Sequence, residues 1–451
     1  MWPSVHHVRV GKPARAVAVL AAFLTIGVQP AASTPDLPPD YQVLAPVTSV
    51  APLDTQRLEG RVDRAWTASG LGADKGLALD AVFSSPESEV ARAAQSAFMP
   101  ASTTKLLTAA AALRTFGPEH RFRTTVTRSG NQVFLVGGGD PQLTTFSTPR
   151  AINADASLVR LARRTAVALR DASVSAVRLR YDATLFGAPA EAPFWKSDFL
   201  AIGVVAPITA LSADGGRLNP PASPRSPNPP LTAAQSFARL LQQRDIQVLG
   251  EPTPAPAAGD EMAAVESAPL ADLVEHLLLT SDNTEADILA HQVGLEVLDD
   301  PTFAGGARAT LQVLAELGID TSGIVLNDGS GLSRGNRISP ERLIDVLRAA
   351  VETDPEQLWP VYTGLPVAGF DGSLASRFSA ASARPARGAV TGKTGTLTGT
   401  STLAGFVSDR DGQLLMYAVM TNDVNTFAAS PAIDDVLARV AGCRCADTTV
   451  G

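Results

Sequence analysis

Pro100-Ala101-Ser102-Thr103-Thr104-Lys105-Leu106-Leu107-Thr108-Ala109-Ala110-Ala111-Ala112-Leu113-Arg114-Thr115-Phe116 is the stretch from which the rest of the sequence can be read. From Thr103 to Phe116 it is rich in Ala and Leu and has no Gly or Pro, which predicts a buried helix. Ser102 stands at its start, and Lys105, three residues on, returns to the same face. An amine so placed can approach the hydroxyl, and if its surroundings lower its pKa it can take the serine proton. Taken alone, the pair has an ordinary explanation as well, with Ser102 a helix cap and Lys105 a solvated surface charge.

Two more short motifs follow in order, Ser281-Asp282-Asn283 and Lys393-Thr394-Gly395. Helices are predicted over Leu270 to Leu279 and Glu285 to Val297, so Ser281 and Asn283 fall in the polar break between them, where both side chains can face a cleft. The ordinary alternative is a capped Ser/Asn turn. Lys393-Thr394-Gly395-Thr396 precedes strand-forming residues and suits an edge strand along which an extended peptide can lie, with Gly395 leaving room for it. The alternative there is a hairpin turn. The chain has only five lysines, Lys12, Lys75, Lys105, Lys196 and Lys393, and two fall in these motifs, which argues against coincidence. S-x-x-K, S-x-N and K-T-G in this order are shared by penicillin-binding proteins and class A β-lactamases.

Composition narrows the function classes. The 451 residues, 45% hydrophobic and 18% charged, suffice for two or three domains with a sizeable core. A net charge of -8 offers no basic stripe for phosphates, so no nucleic-acid partner is expected. Arg9, Lys12 and Arg15, the apolar run Ala16 to Val28, and then Pro30-Ala31-Ala32 read as a secretory signal peptide over residues 1–32. The run is short for a retained membrane anchor. Residues 33–50 are Pro-rich and read as a linker.

Cys443 and Cys445, two apart, either form a small disulfide or stay as thiols, and staple no core. The five histidines show no ligand spacing, so no metal and no cofactor is expected. A helix is predicted over Thr55 to Trp66, strands over Leu77 to Phe83, Val133 to Val136, Ser401 to Val407 and Leu414 to Thr421, and a last helix capped by Ser430-Pro431 and running to Val440. Between the first two motifs the texture changes, with a glycine turn, a helix around Ala156 to Arg170 and two proline clusters. Residues 121–258 therefore read as an inserted domain, and 51–120 with 259–451 as a discontinuous catalytic domain.

The chain resembles the D-alanyl-D-alanine carboxypeptidase/endopeptidase family of low-molecular-mass class C penicillin-binding proteins, the S13 serine peptidases. Beyond the three motifs, Leu135-Val136-Gly137-Gly138-Gly139-Asp140-Pro141 resembles that family's glycine turn, Asp328-Gly329-Ser330-Gly331-Leu332-Ser333 its loop between the second and third motifs, and Phe370-Asp371-Gly372-Ser373-Leu374 a further segment. The resemblance implies an α+β fold: a serine β-lactamase/DD-peptidase-like catalytic domain, an antiparallel sheet flanked by helices, with an inserted second domain.

For the site, the resemblance implies Ser102 as the acylated nucleophile, Lys105 as its base and Ser281 as proton relay to the leaving amine. Asn283 would hold the substrate backbone, Lys393 supply positive potential, and Thr394 and Thr396 bind the terminal carboxylate beside Gly395. The backbone N–H groups of Ser102 and Thr396 would form the oxyanion hole. Trp195, Asp198, Leu332, Arg334, Leu397 and Thr398 match a side pocket that reads the stem-peptide side chain, Asp198 and Arg334 suiting the amine and carboxylate of diaminopimelate. Peptidoglycan stem peptides are the implied substrates, β-lactams the implied inhibitors, and the location exported, periplasmic or extracellular at the cell wall. Fewer residues separate Ser102 from Ser281 than in fuller family members, so a further nested domain is expected to be missing or reduced, which favours carboxypeptidase over endopeptidase action. Two alternatives remain. A β-lactamase shares the motifs but needs a water-activating glutamate, and Glu191 lacks the accompanying Asn. A non-catalytic wall-binding protein would be free to lose motifs that are intact here.

Overall fold

In the computed structural model, which describes residues 53–67, 69–82, 89–146, 156–220 and 224–446, the chain from Ala51 onward forms one compact unit. The expected signal segment 1–32 and linker 33–50 lie outside the described residues. Helix α1 (Thr55–Trp66) has the predicted bounds: Asp54 caps it by accepting from Arg57 N at 2.9 Å, and Leu58, Val62 and Ala65 form its buried stripe. Strands β1 (Lys75–Ala81) and β2 (Val90–Arg92) follow, then a 3₁₀ turn over Ala101–Thr103 that leads into α2 (Thr104–Phe116). Every residue of α2 from Thr104 to Leu113 is buried, which explains the absence of a polar stripe in its sequence. Removal of each of Leu106, Leu107 and Leu113 from water contributes about 2 kcal/mol.

A second layer begins with β3 (Arg123–Ser129) and β4 (Gln132–Val136) and continues through α3 (Leu158–Asp171), β5 (Ala176–Asp182), α4 (Pro229–Gln242), β6 (Gln247–Val248), β7 (Thr253–Pro254) and β8 (Asp260–Glu266). Its sheet has the order β6-β5-β4-β3-β8, mixed in direction, with α3 and α4 burying Leu161, Leu169, Phe237 and Leu241 against it. This sheet extends past residue 258, because β8 pairs antiparallel with β3.

The chain then runs through α5 (Leu270–Thr280), α6 (Asn283–Leu298), α7 (Phe303–Glu316), α8 (Pro340–Arg348) and α9 (Pro355–Thr363) into β9 (Val390–Leu397), β10 (Thr400–Ser408), β11 (Leu414–Thr421) and α10 (Thr426–Ala441). The main sheet is antiparallel throughout, in the order β2-β1-β11-β10-β9. Period-two alternation sends its side chains into two cores. Ala404, Phe406, Met416, Ala418 and Met420 meet α2 and its neighbours, while Leu403, Val407, Leu415, Tyr417 and Val419 meet α1 and α10. Helices on both faces explain why these strands read as continuous apolar runs.

The last helix corrects one expectation. It starts at Thr426, with Asn425 accepting from Phe427 N at 3.0 Å, and Pro431 lies inside it. Proline lacks one N–H, but the packing of Ala429, Ile433, Val436 and Leu437 on the sheet outweighs that loss. Cys443 and Cys445 form a disulfide with Cα atoms 5.3 Å apart, and both are buried in the α1/α10 core. Among the described residues no helix is long and apolar enough to cross a membrane.

Candidate active site

Ser102 lies in the 3₁₀ turn ahead of α2, one turn earlier than a regular α-helical start, and Ala101 before it has φ 49°. The tight turn brings the Ser102 hydroxyl over the first turn of α2. Lys105 Nζ is 2.9 Å from Ser102 Oγ, 2.8 Å from Asn283 Oδ1 and 2.6 Å from the Ser330 carbonyl oxygen. Three acceptors satisfy the three hydrogens of an ammonium. Lys105 is fully buried, and burial pulls its pKa down to about 8, although the charges of Asp287, Asp328 and Asp282 work in the opposite direction. At pH 7 about a tenth of such an amine is neutral. The neutral amine has one hydrogen fewer and a free lone pair, so its contact with Ser102 reverses and the serine O–H donates.

Ser281 is left-handed, φ 60°, at the end of α5, and its hydroxyl accepts from Lys393 Nζ at 2.8 Å. Lys393 also donates to the Thr394 carbonyl at 3.0 Å and is fully buried. Burial, and then the charge of Lys105, lower its pKa well below the usual lysine value. Asn283 donates through Nδ2 to Val204 O at 2.9 Å, so its amide orientation is set from both sides. The three motifs thus meet through Lys105–Asn283 and Lys393–Ser281.

β9 is the edge strand of the sheet, and the side chain of Thr394 donates to Ser373 Oγ at 2.7 Å. Gly395 has a different reason from the one expected. A Cβ there would stand 2.1 Å from Thr402 Oγ1, 2.5 Å from Pro100 O and 3.1 Å from Ser102 N, so the glycine lets β9 lie against the turn that carries Ser102. Thr396, next along, is exposed.

The expected side-pocket residues come together in part. Trp195, Leu332 and Leu397 belong to one apolar cluster with Phe199, Ile208 and Phe303. Arg334 donates from both terminal nitrogens to Thr398 O at 3.2 Å, while Lys196, which sequence reasoning left out, reaches Thr398 Oγ1 at 3.2 Å. Asp198 is exposed.

Two carboxylates missed as structural supports organise the Lys105 side. Asp328 accepts from Trp195 Nε1 at 2.7 Å, Gly331 N at 2.9 Å, Ser333 N at 2.6 Å and Asn336 Nδ2 at 2.8 Å, which shapes the loop presenting Ser330 O to Lys105. Asp287 Oδ1 accepts from Gly329 N and Ser330 N at 2.8 and 3.0 Å; burial and the neighbouring Asp328 push its carboxyl well above the usual range. Asp282 caps α6 and pairs with Arg217 and Arg225 at 3.1 and 3.7 Å, ties that hold its pKa low despite its burial. The Asp-x-Ser-Gly pattern of the 328–333 loop was visible in the sequence, but its partners were not.

The family model of the D-Ala-D-Ala carboxypeptidase 3 (S13) family matches residues 61–227 and 219–442. The chain is 34% identical to Carboxypeptidase DacB of Mycolicibacterium smegmatis over 460 residues, covering 98% of each chain. It is 29% identical over 415 residues to the D-alanyl-D-alanine carboxypeptidase of an Actinomadura species, covering 75% of this chain and 76% of that one. The fold matches that of penicillin binding protein 4 from Haemophilus influenzae, with a TM-score of 0.68 and 20% identity over 85% of this chain and 98% of that one; the same protein has been solved in complex with a β-lactam.

Proposed function

The chain belongs to the D-Ala-D-Ala carboxypeptidase 3 (S13) family, and on that premise we propose that it is an exported serine-type D-Ala-D-Ala carboxypeptidase which acts on peptidoglycan stem peptides through an acyl-enzyme on Ser102. The observation that carries this reading is the buried amine of Lys105, lowered to about 8 and 2.9 Å from Ser102 Oγ.

Neutral Lys105 takes the proton as Ser102 Oγ attacks the carbonyl between the two D-alanines. The N–H groups of Ser102 and Thr396 stabilise the oxyanion, a role supported by the close approach of β9 to Ser102 N at Gly395. Ser281 gives its hydroxyl proton to the leaving amine and takes one from Lys393, to which it is bonded, and D-alanine departs. Water then attacks the acyl carbonyl, its proton passing through Ser281 to Lys393, while Lys105 returns the first proton to Ser102 Oγ as the acyl group leaves. Asn283 orients the substrate backbone. Thr394 and Thr396 receive the terminal carboxylate, whose negative charge raises the proton affinity of Lys393 and so strengthens the attraction between them. Trp195, Leu332 and Leu397 offer an apolar wall to the stem side chain, with Arg334, Thr398 and Asp198 at its polar end. The separate sheet and core of the second layer support an inserted domain that begins near residue 121 and runs through β8 instead of ending at 258, and the basic-apolar-small pattern at the N-terminus supports export to the cell wall. A β-lactam would acylate Ser102 and leave slowly.

Intact-mass measurement after brief incubation with labelled penicillin, followed by peptide mapping, tests the reading: one adduct on the peptide carrying Ser102 is the expected result. Rapid loss of penicillin without a lasting adduct would indicate a β-lactamase; intact penicillin and no adduct would indicate a binding protein. The acylation rate should also rise about tenfold per pH unit on the acid side and level off above about pH 8, because protonated Lys105 accepts no proton. A rate independent of pH across that interval would remove Lys105 as the base.

A further inference from the structure

His276 of α5 and Glu285 in the first turn of α6 flank the junction Ser281-Asp282 and Asn283, the first residue of α6. Left-handed backbone costs a residue such as Ser281 about 1 kcal/mol or more, so its surroundings must hold it there. The contacts bridging the junction do not take part in the chemistry described above. His276 Nδ1 lies 2.9 Å from Glu285 Oε2, and Gln142 Nε2, from the turn after β4, is 2.7 Å from that Nδ1 and 3.0 Å from that Oε2. Glu285 is buried, and its other oxygen, Oε1, has no hydrogen-bond partner among the described residues.

This geometry requires a proton. An anionic carboxylate and the lone pair of a neutral imidazole repel each other at 2.9 Å, so either Nδ1–H donates to Oε2 or Oε2–H donates to Nδ1. The Gln142 amide can donate to Oε2 in both arrangements. Burial pulls the His276 imidazolium down, but Glu285 more than offsets this and holds it above the usual histidine value, while burial raises Glu285. Asp282, which also favours the proton, carries Arg217 and Arg225. Arg217 opposes it, and Asp140, facing Glu285 from the same turn as Gln142, is raised by burial to about 7.

We propose that His276, Glu285 and Gln142 form a clasp closed by one shared proton, and that this clasp positions Ser281 and Asn283 for the reaction at Ser102. The inference rests on the reading of Ser281 and Asn283 as contact residues. A group whose proton affinity is raised by its partner keeps that stabilisation at low pH and loses it as pH rises through the raised value. As pH rises the ring loses its charge, and because the neutral imidazole can keep Nδ1–H toward Oε2 the clasp weakens on the alkaline side from a charge-assisted hydrogen bond to an ordinary one.

The test uses the full chain, Glu285→Gln and His276→Gln. In Glu285→Gln an amide N–H can donate to Nδ1 with no proton to lose. Rates of acylation by labelled penicillin are measured across neutral and alkaline pH and scaled to the fraction of protein finally acylated, so that unfolded material drops out. The ratio of Glu285→Gln to wild type cancels the contribution of Lys105. It is expected to climb about fivefold or more from neutral to alkaline pH. The His276 ring signal in proton NMR, assigned by its loss in His276→Gln, should titrate above the usual histidine value in the wild type and lower in Glu285→Gln. A ratio that stays flat in an acylating enzyme, or a His276 titration identical in the two proteins, overturns the clasp. No acylation of the wild type overturns the proposed function and the positioning role together.

Discussion

Ser102→Ala is expected to form no covalent adduct with a labelled β-lactam, and Lys105→Ala, with Ser102 intact, to form it about 10³-fold or more slowly. The second result is the more informative. Lys105 Nζ is the polar group seen to bond Ser102 Oγ from the protein interior, at 2.9 Å, and its lowered pKa supplies the neutral fraction needed for proton transfer. Its removal also leaves Asn283 Oδ1 and Ser330 O without their donor. Buried acceptors left unpaired cost about 1–3 kcal/mol each, so Lys105→Ala should unfold more easily as well. Lys105→Met, which fills the volume without a base, separates the two effects: it should fold better than the alanine variant and acylate no faster. Because the two residues act as a unit, Ser102→Ala combined with Lys105→Ala should be no worse than Ser102→Ala alone. Acylation of Lys105→Ala within tenfold of wild type would mean that another group deprotonates Ser102.

Gly331→Ala should lower stability by about 3–5 kcal/mol and disable acylation with it. Gly331 has φ +84°, and an added Cβ would fall 1.9 Å from Ala101 O and 2.9 Å from Thr104 Oγ1. Both atoms belong to the turn that presents Ser102, while the residue before Gly331 carries the carbonyl that binds Lys105. Relief of the clash must move the loop or the turn, and either movement separates Lys105 from its partners. Gly250→Ala isolates the backbone part of the cost: its φ is +74°, but nothing lies within 4 Å of a Cβ there. That variant should lose about 1 kcal/mol. Urea unfolding of both proteins, together with labelling by a β-lactam, provides the comparison; equal midpoints for Gly331→Ala and Gly250→Ala would show that the loop yields without cost.

The sequence by itself determined what local periodicity and short spacing can encode. The helical spacing of Leu58, Val62 and Trp66 set α1 within its predicted bounds, although the structure buries Ala65 more fully than Trp66, and the unbroken Ala/Leu run set α2 as a helix apolar on every side. The separation of three residues placed Lys105 under Ser102, and the polar break between two apolar helices placed Ser281 and Asn283 together. These features depend on backbone geometry over a few residues.

What only the tertiary structure decided depends on partners far along the chain. Lys105 meets Ser330 O at a separation of 225 residues, and Gln142 meets Glu285 at 143, distances over which no pattern repeats. Gly395 reads as space for a ligand until Pro100 O and Ser102 N are placed beside it. Pro431 reads as a helix start until the apolar face of α10 is packed on the sheet, which holds an extra turn ahead of the proline. The lowered pKa of Lys105 has the same origin, since burial belongs to the assembled core and not to any segment of it.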